Sequence, residues 1–378
     1  MSTFWYVPLE SLNARYTSQL SGKWIPAAFD AVPNDYQFVA VPTPVVSEEI
    51  KIGSVLDAVN RGVVSLAQMS WLLQQKMTSD DAVYLQDYWT PGLEALFYAW
   101  HLCGVKPRVY AMCHAQSVDE HDFTYPMRPW MHLLEIGWSR AMAGIFVAST
   151  LHRDLLRAAG VECPIHVVGL PIDSSEVSAR MPHADKVRQV VFSSRLNNEK
   201  NPFFMLEVAR AFLASHADWT WAVTTSAAAF TSEVPGLLSA LHDAAHREPR
   251  LRLLQGLSKE HYYHELVRSD IQFNSSLQDW VSWTLLEATL AGCDICYPDF
   301  RSFPECVHPS RRYRPFEVES ALDVLDECIR QPRTWSRPAD VCNNGRLIEM
   351  AIMLKNWQGP EVNVWHMPGR YFRGVGLL

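Results

Sequence analysis

The feature that most narrows what this chain can fold into is an alternation, kept up through most of its length, of short apolar runs with longer stretches of helical spacing. Runs of four or five apolar residues read as strands covered on both faces, and segments with apolar residues three and four apart read as the helices that cover them. In the first half, strands are expected at Phe4–Leu9, Phe38–Val41, Ala82–Leu85, Arg108–Met112, Gly144–Ala148 and His166–Val168. Helices are expected over Ser54–Gln75, Pro91–Cys103 and Pro129–Met142, and from a Ser149-Thr150 cap to Ala159. In the second half, strands at Gln189–Ser193, Thr220–Thr224, Leu251–Leu254, Ile271–Asn274 and Asp294–Tyr297 alternate with helices over Pro202–Ser215, Val234–Ala245, Lys259–Arg268 and Thr284–Ala291. Such alternation is the signature of parallel sheets with helices on both faces. A polar, weakly patterned stretch from Ser174 to Lys186 reads as a linker. The expectation is therefore an α/β chain of two facing Rossmann-like domains, residues 1–180 and 181–350, with ligands bound in a cleft outside the carboxyl ends of the strands. A length of 378 residues agrees, being too long for one ordinary core.

Composition narrows the function classes. The chain is 48% hydrophobic and 20% charged, with a net charge of −8, which is not the balance of a protein that coats nucleic acid indiscriminately. No apolar run reaches the roughly 20 residues of a membrane span, and the opening MSTFWYVPLE has neither the basic nor the apolar region of a signal peptide. A cytoplasmic protein is expected. Cys293 and Cys296 are formally C-x-x-C, but no second pair or histidine pair completes a zinc set, so the eight cysteines read as reduced thiols.

Two segments of the second half carry chemistry. In Asn274-Ser275-Ser276-Leu277-Gln278-Asp279-Trp280-Val281-Ser282-Trp283-Thr284-Leu285-Leu286-Glu287, one carboxylate lies in a loop after a strand and the other one turn into a helix that starts near Trp283 or Thr284. A helix start offers unpaired N–H groups and positive dipole, which suits a diphosphate. In Ser193-Ser194-Arg195-Leu196-Asn197-Asn198-Glu199-Lys200-Asn201-Pro202, a strand delivers two cations to a loop just before another helix. Two cations there can neutralise a departing nucleoside diphosphate without a metal.

With these residues the chain resembles the GT4-like retaining glycosyltransferases, which pair a Gly-Arg-Leu…Glu-Lys-Asn loop with two carboxylates that have seven residues between them. The likeness is close over Val190–Val307 and includes Gly256-Leu257-Ser258 and Phe303-Pro304-Glu305; in the first half it is carried by Gly169–Asp173 and His114. It implies the GT-B fold, no cofactor, and a nucleotide sugar, UDP- or GDP-linked, as donor. It implies that Arg195 and Lys200 bind the diphosphate with Ser282, Trp283, Thr284 and Leu285 at the helix start, that Glu287 binds ribose, that Asp279 touches the transferred sugar, and that His114 contacts it from the first domain. By the same analogy, residues 351–378 cross back to the first domain. Asp279 stands where the family has Glu, Val281-Ser282-Trp283 replaces a glycine-rich turn, and Ser194 replaces glycine.

The acceptor side is expected at the strand ends of the first domain, with Asp87, Trp89 and Asp119 as candidates. Asp119-Glu120-His121-Asp122 reads as a solvated loop rather than a metal site, since the acids are adjacent and no Asp-x-Asp ends a strand. The opening Tyr6–Glu10 with Arg15-Tyr16-Thr17 resembles phage-encoded enzymes that glycosylate hydroxymethylated bases. Arg311-Arg312-Tyr313-Arg314 and Arg370-Tyr371-Phe372-Arg373 combine the cations and rings that hold phosphates and unstacked bases. A hydroxymethylated pyrimidine in double-stranded DNA is the favoured acceptor, with Arg15 among its contacts. A glycan, lipid or small-molecule acceptor, and an epimerase or non-catalytic nucleotide-sugar-binding protein, are the rivals.

Overall fold

The computed structural model describes residues 2–9, 19–31, 36–44, 58–114, 116–122, 124–170 and 172–332. Arg15, residues 351–378 and the basic stretch at Arg370–Arg373 lie outside them.

The first half builds a six-stranded sheet from β1 (Ser2–Val7), β2 (Tyr36–Ala40), β3 (Ala82–Leu85), β4 (Arg108–Met112), β5 (Gly144–Val147) and β6 (Ile165–Val167). All its pairings are parallel, in the order β2-β1-β3-β4-β5-β6. Helices α1 (Ile25–Ala31), α2 (Ala58–Leu73), α3 (Leu93–Leu102), α4 (Arg128–Ala141) and α5 (Thr150–Ala158) make the crossovers, and α6 (Ser174–Ala179) follows. The second half repeats the plan with β7 (Val187–Phe192), β8 (Thr220–Thr224), β9 (Leu251–Leu254), β10 (Ser269–Phe273), β11 (Asp294–Pro298) and β12 (Arg312–Tyr313), in the order β12-β11-β10-β7-β8-β9. Its helices are α7 (Pro202–Ser215), α8 (Leu237–Arg247), α9 (Lys259–Arg268), α10 (Trp283–Leu290), the short α11 (Phe303–Cys306) and α12 (Val318–Arg330).

The strands hold because both their faces are covered. Ala82, Val83, Tyr84 and Leu85 are all fully buried. Along β1, Phe4 and Tyr6 join one apolar cluster while Trp5 and Val7 join another on the opposite face, which is the two-residue period of a strand. Each large apolar side chain so covered contributes roughly 1.5–3 kcal/mol. The cluster containing Phe4 and Tyr6 also takes in Tyr263, Trp280, Val281 and Leu286 from the second half, so the two halves pack against each other there.

The winding direction sets the ligand positions. In the first sheet the chain lays β2 on one side of β1 and β3 to β6 on the other; in the second it lays β8 and β9 on one side of β7 and β10 to β12 on the other. The loops leaving β1 and β3, and those leaving β7 and β10, therefore part in opposite directions and leave a crevice at each sheet. Asp87 and Trp89 follow β3, Arg195 and Lys200 follow β7, and Asp279 follows β10.

Two expectations need correction. The stretch at 174–186 is not all linker: α6 forms there because the Asp173 carboxylate accepts hydrogen bonds from the backbone N–H groups of Ser175 and Glu176 at 3.0 and 2.9 Å. An N-cap acid with Glu three residues on is a helix-start pattern that apolar periodicity does not register. The helix expected from Val234 begins at Leu237, behind Gly236 in a left-handed conformation at φ 76°. A further helix, α12, lies outside those expectations, its buried Ala321, Leu325 and Cys328 packing one helical face against the second core.

Candidate active site

The loop after β7 makes a short helical turn at Asn198–Lys200, and Asn201 then takes a left-handed conformation at φ 46° before Pro202 opens α7. A residue before proline is kept out of the right-handed helical region, and asparagine tolerates the left-handed one, so the chain bends sharply here. The bend buries the Lys200 side chain to 7% exposure and sets its Nζ 2.7 Å from the carbonyl oxygen of Gln278 and 3.0 Å from Asp279 Oδ1. The loop from β10 is stitched to it by the Leu277 N–H donating to the Glu199 carbonyl and the Ser275 hydroxyl donating to the Lys200 carbonyl, both at 2.7 Å. Ser302 donates to the Asp279 carbonyl at 2.7 Å and fixes the far side of the loop. The lysine and aspartate singled out from sequence thus meet. Arg195 sits two residues beyond Ser193 and pairs with Glu199 at 2.8 Å, so each cation of this loop already has a carboxylate partner.

Ser282 is the N-cap residue of α10, yet its side chain makes no capping bond and instead meets the Thr284 hydroxyl at 2.8 Å. Thr284 and Glu287 line a cavity of about 420 Å³ shared with Ser193, the Thr224–Ser226 loop, Gly256–Lys259 and Tyr262. Leu285 is buried beneath the helix start, and the Trp283 ring stacks on Trp24 of the first half with centroids 5.8 Å apart. Glu287 is only 6% exposed and is held by three donors: Lys259, the Tyr262 hydroxyl at 2.9 Å and the Tyr263 hydroxyl at 3.2 Å. Burial, and after it the charge of Glu287, push both phenols far above their usual range, so they remain donors. Lys259, Tyr262 and Tyr263 were not picked out from sequence. The signal was a lysine at the first position of a helix, where the dipole disfavours a cation, with two tyrosines a turn later.

Across the cleft, His114 Nε2 lies 3.0 Å from the carbonyl of Gln86, which can only accept, so Nε2 carries the proton. Burial lowers the His114 pKa, against the pull of Asp87 upward, and favours neutral imidazole. Asp87 pairs with Arg61 at 3.1 Å, and the Trp89 indole donates at 3.0 Å to Glu135, a buried carboxylate that also takes both donors of Ser117. His152 stacks on Trp280 at 4.2 Å and 14°. Burial, helped by His114, pushes its pKa down to about 3.

The loop expected to be solvated is largely interior. Asp119 is buried and pairs with Arg301 of the second half at 2.9 Å, and Asp122 accepts a hydrogen bond from the Gln278 amide at 3.1 Å. Burial raises the Asp122 pKa to about 7. Only Glu120 of the three acids is exposed. Glu305 completes the seam by accepting from the N–H groups of Thr150 and Leu151, both at 2.8 Å, at the start of α5. The basic stretch at 311–314 is not a free patch: Arg311 is fully buried against Asp294 at 2.8 Å, Arg312 pairs with Asp299, Tyr313 is buried, and Arg314 pairs with Glu317. Among the described residues, no three His, Cys, Asp or Glu side chains converge to hold a metal ion, and no helix is long and apolar enough to cross a membrane.

Neither a family model nor a curated protein matches this sequence. Solved structures do match in three dimensions. A UDP-forming α,α-trehalose-phosphate synthase from Burkholderia xenovorans superimposes with a TM-score of 0.65 at 10% identity, covering 94% of this chain and 97% of that one. A trehalose-6-phosphate synthase studied for glycosyltransfer with retention gives 0.62 at 13%, over 94% and 97%. The chain has the GT-B fold. The pneumococcal O-GlcNAc transferase GtfA, in complex with UDP and GlcNAc, gives 0.55 at 11% identity, over 79% of this chain and 60% of that one. Identities this low speak for architecture alone, so the chemistry has to be argued from the side chains.

Proposed function

We propose that this chain is a retaining glycosyltransferase that moves a hexosyl or pentosyl group from a UDP-linked donor to an acceptor hydroxyl. The observation that carries the reading is the meeting of Lys200 and Asp279 in the loops that follow two neighbouring strands, together with a cavity at the start of the next helix that holds a buried carboxylate, Glu287. The structural neighbours described as UDP-forming or in complex with UDP support uridine diphosphate as the carrier.

In this reading the nucleoside occupies the cavity with its ribose at Glu287, and the diphosphate lies along the start of α10. Arg195 and Lys200 face the diphosphate. The bond from the anomeric carbon to the phosphate oxygen breaks, the acceptor oxygen bonds to the same face of that carbon, and the acceptor proton passes to the departing phosphate. Negative charge grows on the diphosphate, so Lys200 and the open helix end stabilise the transition state more than the ground state. Asp279 holds the Lys200 ammonium and the sugar hydroxyls, and neutral His114 approaches the sugar from the first domain. Asp87 and Trp89 stand on the acceptor side, their polar groups committed to Arg61 and Glu135. Asp119 is buried in the seam against Arg301, so it stands behind the acceptor side rather than on its surface.

The hydroxymethylated pyrimidine of duplex DNA remains the first acceptor to test, although the 311–314 stretch no longer argues for it. Its remaining support lies in Arg15 and 370–373, outside the described residues. The experiment is UDP release from UDP-glucose and UDP-GlcNAc with and without hydroxymethylated duplex DNA, followed by mass spectrometry of the product. Acceptor-dependent UDP release with retained anomeric configuration is expected. Tight UDP binding with no release on any acceptor would make the chain a nucleotide-sugar-binding protein instead.

A further inference from the structure

The Glu287 carboxylate is unusually crowded for a group that is to bind a ligand. Lys259 and Tyr263 donate to its Oε1 and Tyr262 donates to Oε2, so three of its roughly four lone-pair positions are taken. One position, on Oε2, is left for a hydroxyl. Lys259 is differently placed. Its ammonium lies 4.9 and 4.7 Å from the ring centres of Tyr262 and Tyr263, gives one N–H to Glu287, and lines the cavity with the rest. Its side chain is 26% exposed and is part of the cavity wall.

We propose that Lys259 is a specificity-determining residue for the nucleoside half of the donor, acting with Glu287 as a two-point grip on the ribose diol. The ribose 3′-hydroxyl donates to Glu287 Oε2, and the Lys259 ammonium donates to the 2′-oxygen of the same diol. A pair offering one acceptor and one charged donor fits a vicinal diol, whose hydroxyls both give and receive. A deoxyribose lacks one of these oxygens and would leave one member of the pair without its partner, which is what lets a site discriminate against an absent hydroxyl. The inference rests on the donor reading above and extends it to a residue that no sequence pattern singled out.

The test is calorimetric binding of UDP and 2′-deoxy-UDP to the full chain as wild type, Lys259→Met and Lys259→Arg. Wild type is expected to prefer UDP by about tenfold or more, as for loss of one hydrogen bond to a charged group. Lys259→Met should weaken UDP by a similar factor and bring the preference close to one, while Lys259→Arg should keep part of it. If Lys259 merely braces Glu287, both ligands weaken equally in Lys259→Met and the preference stays at its wild-type value. That result, or unchanged binding of both, overturns the proposal while leaving the donor reading intact. Thermal melting of each variant shows whether it is folded, and Lys259→Arg carries the comparison should Lys259→Met not fold. If wild type binds none of UDP, GDP and ADP, the donor reading itself is wrong, and this inference goes with it.

Discussion

Replacing Lys200 with alanine separates what its ammonium does for the fold from what it does for the reaction. The side chain is 7% exposed and makes two contacts, 2.7 Å to the Gln278 carbonyl and 3.0 Å to Asp279. Its removal leaves a carbonyl and a carboxylate without their donor, at roughly 1–3 kcal/mol of stability. In a domain of this size, each kcal/mol lowers Tm by about 2–4 °C, so a melting point lower by roughly 2–12 °C is expected. The catalytic effect is larger. One charged donor facing a developing oxyanion is worth about 10²–10³ in kcat, or roughly 3–4 kcal/mol in the barrier. The assay is UDP release from UDP-glucose well below the variant's melting point, with the slow transfer to water as baseline where no acceptor is supplied. A fall in kcat of two to three orders of magnitude with an intact folded signal supports the assignment. A folded variant with kcat within about threefold of wild type would refute the argument that this amine meets the leaving group.

Three further outcomes follow from the packing. Arg311→Met should destabilise the chain by about 3–5 kcal/mol in urea titration, because it strands the buried Asp294 carboxylate, and it should leave any duplex DNA affinity unchanged. Asp122 holds its proton up to about pH 7 when folded but only to about 3.9 when unfolded, so the native state binds more protons between these values and loses stability as pH rises through that window. In Asp122→Asn this dependence disappears, so urea midpoints measured at pH 5 and pH 8 should differ less in the variant than in wild type. Glu305→Ala should cost about 0.5–2 kcal/mol, read from thermal melting, as loss of a helix cap supplied from the other domain.

The strands were readable because their residues are covered on both faces, and coverage on both faces writes itself as an uninterrupted apolar run; Ala82–Leu85 and Thr220–Thr224 fall where they were expected. Lys200 and Asp279 were readable because their loops follow strands and precede helices, a context visible in residue order. Contacts between distant segments were not. Arg311 looks in sequence like a member of a basic surface cluster, and only the fold shows that it closes on Asp294, 17 residues away. Asp119 and Asp122 read as solvated for the same reason, since their burial comes from Arg301 and Gln278 of the other half. Arg301 also holds a left-handed backbone at φ 51°, a strain that nothing in its neighbours announces. Lys259 was hidden by a correct assignment, as the first residue of a helix whose limits were read correctly.

The pairing of β7 with β10, register Val190 to Ile271, has a wider meaning for how such a protein can diversify. The distance between basic and acidic partners rests on two supports, the hydrogen-bonded pitch of the adjacent strands, about 4.8 Å, and the bonds that stitch their two loops together. Loop side chains outside those bonds can therefore change without dismantling the grip. A substitution that shifts the strands themselves, far below the surface and touching no ligand, would pull the two partners apart.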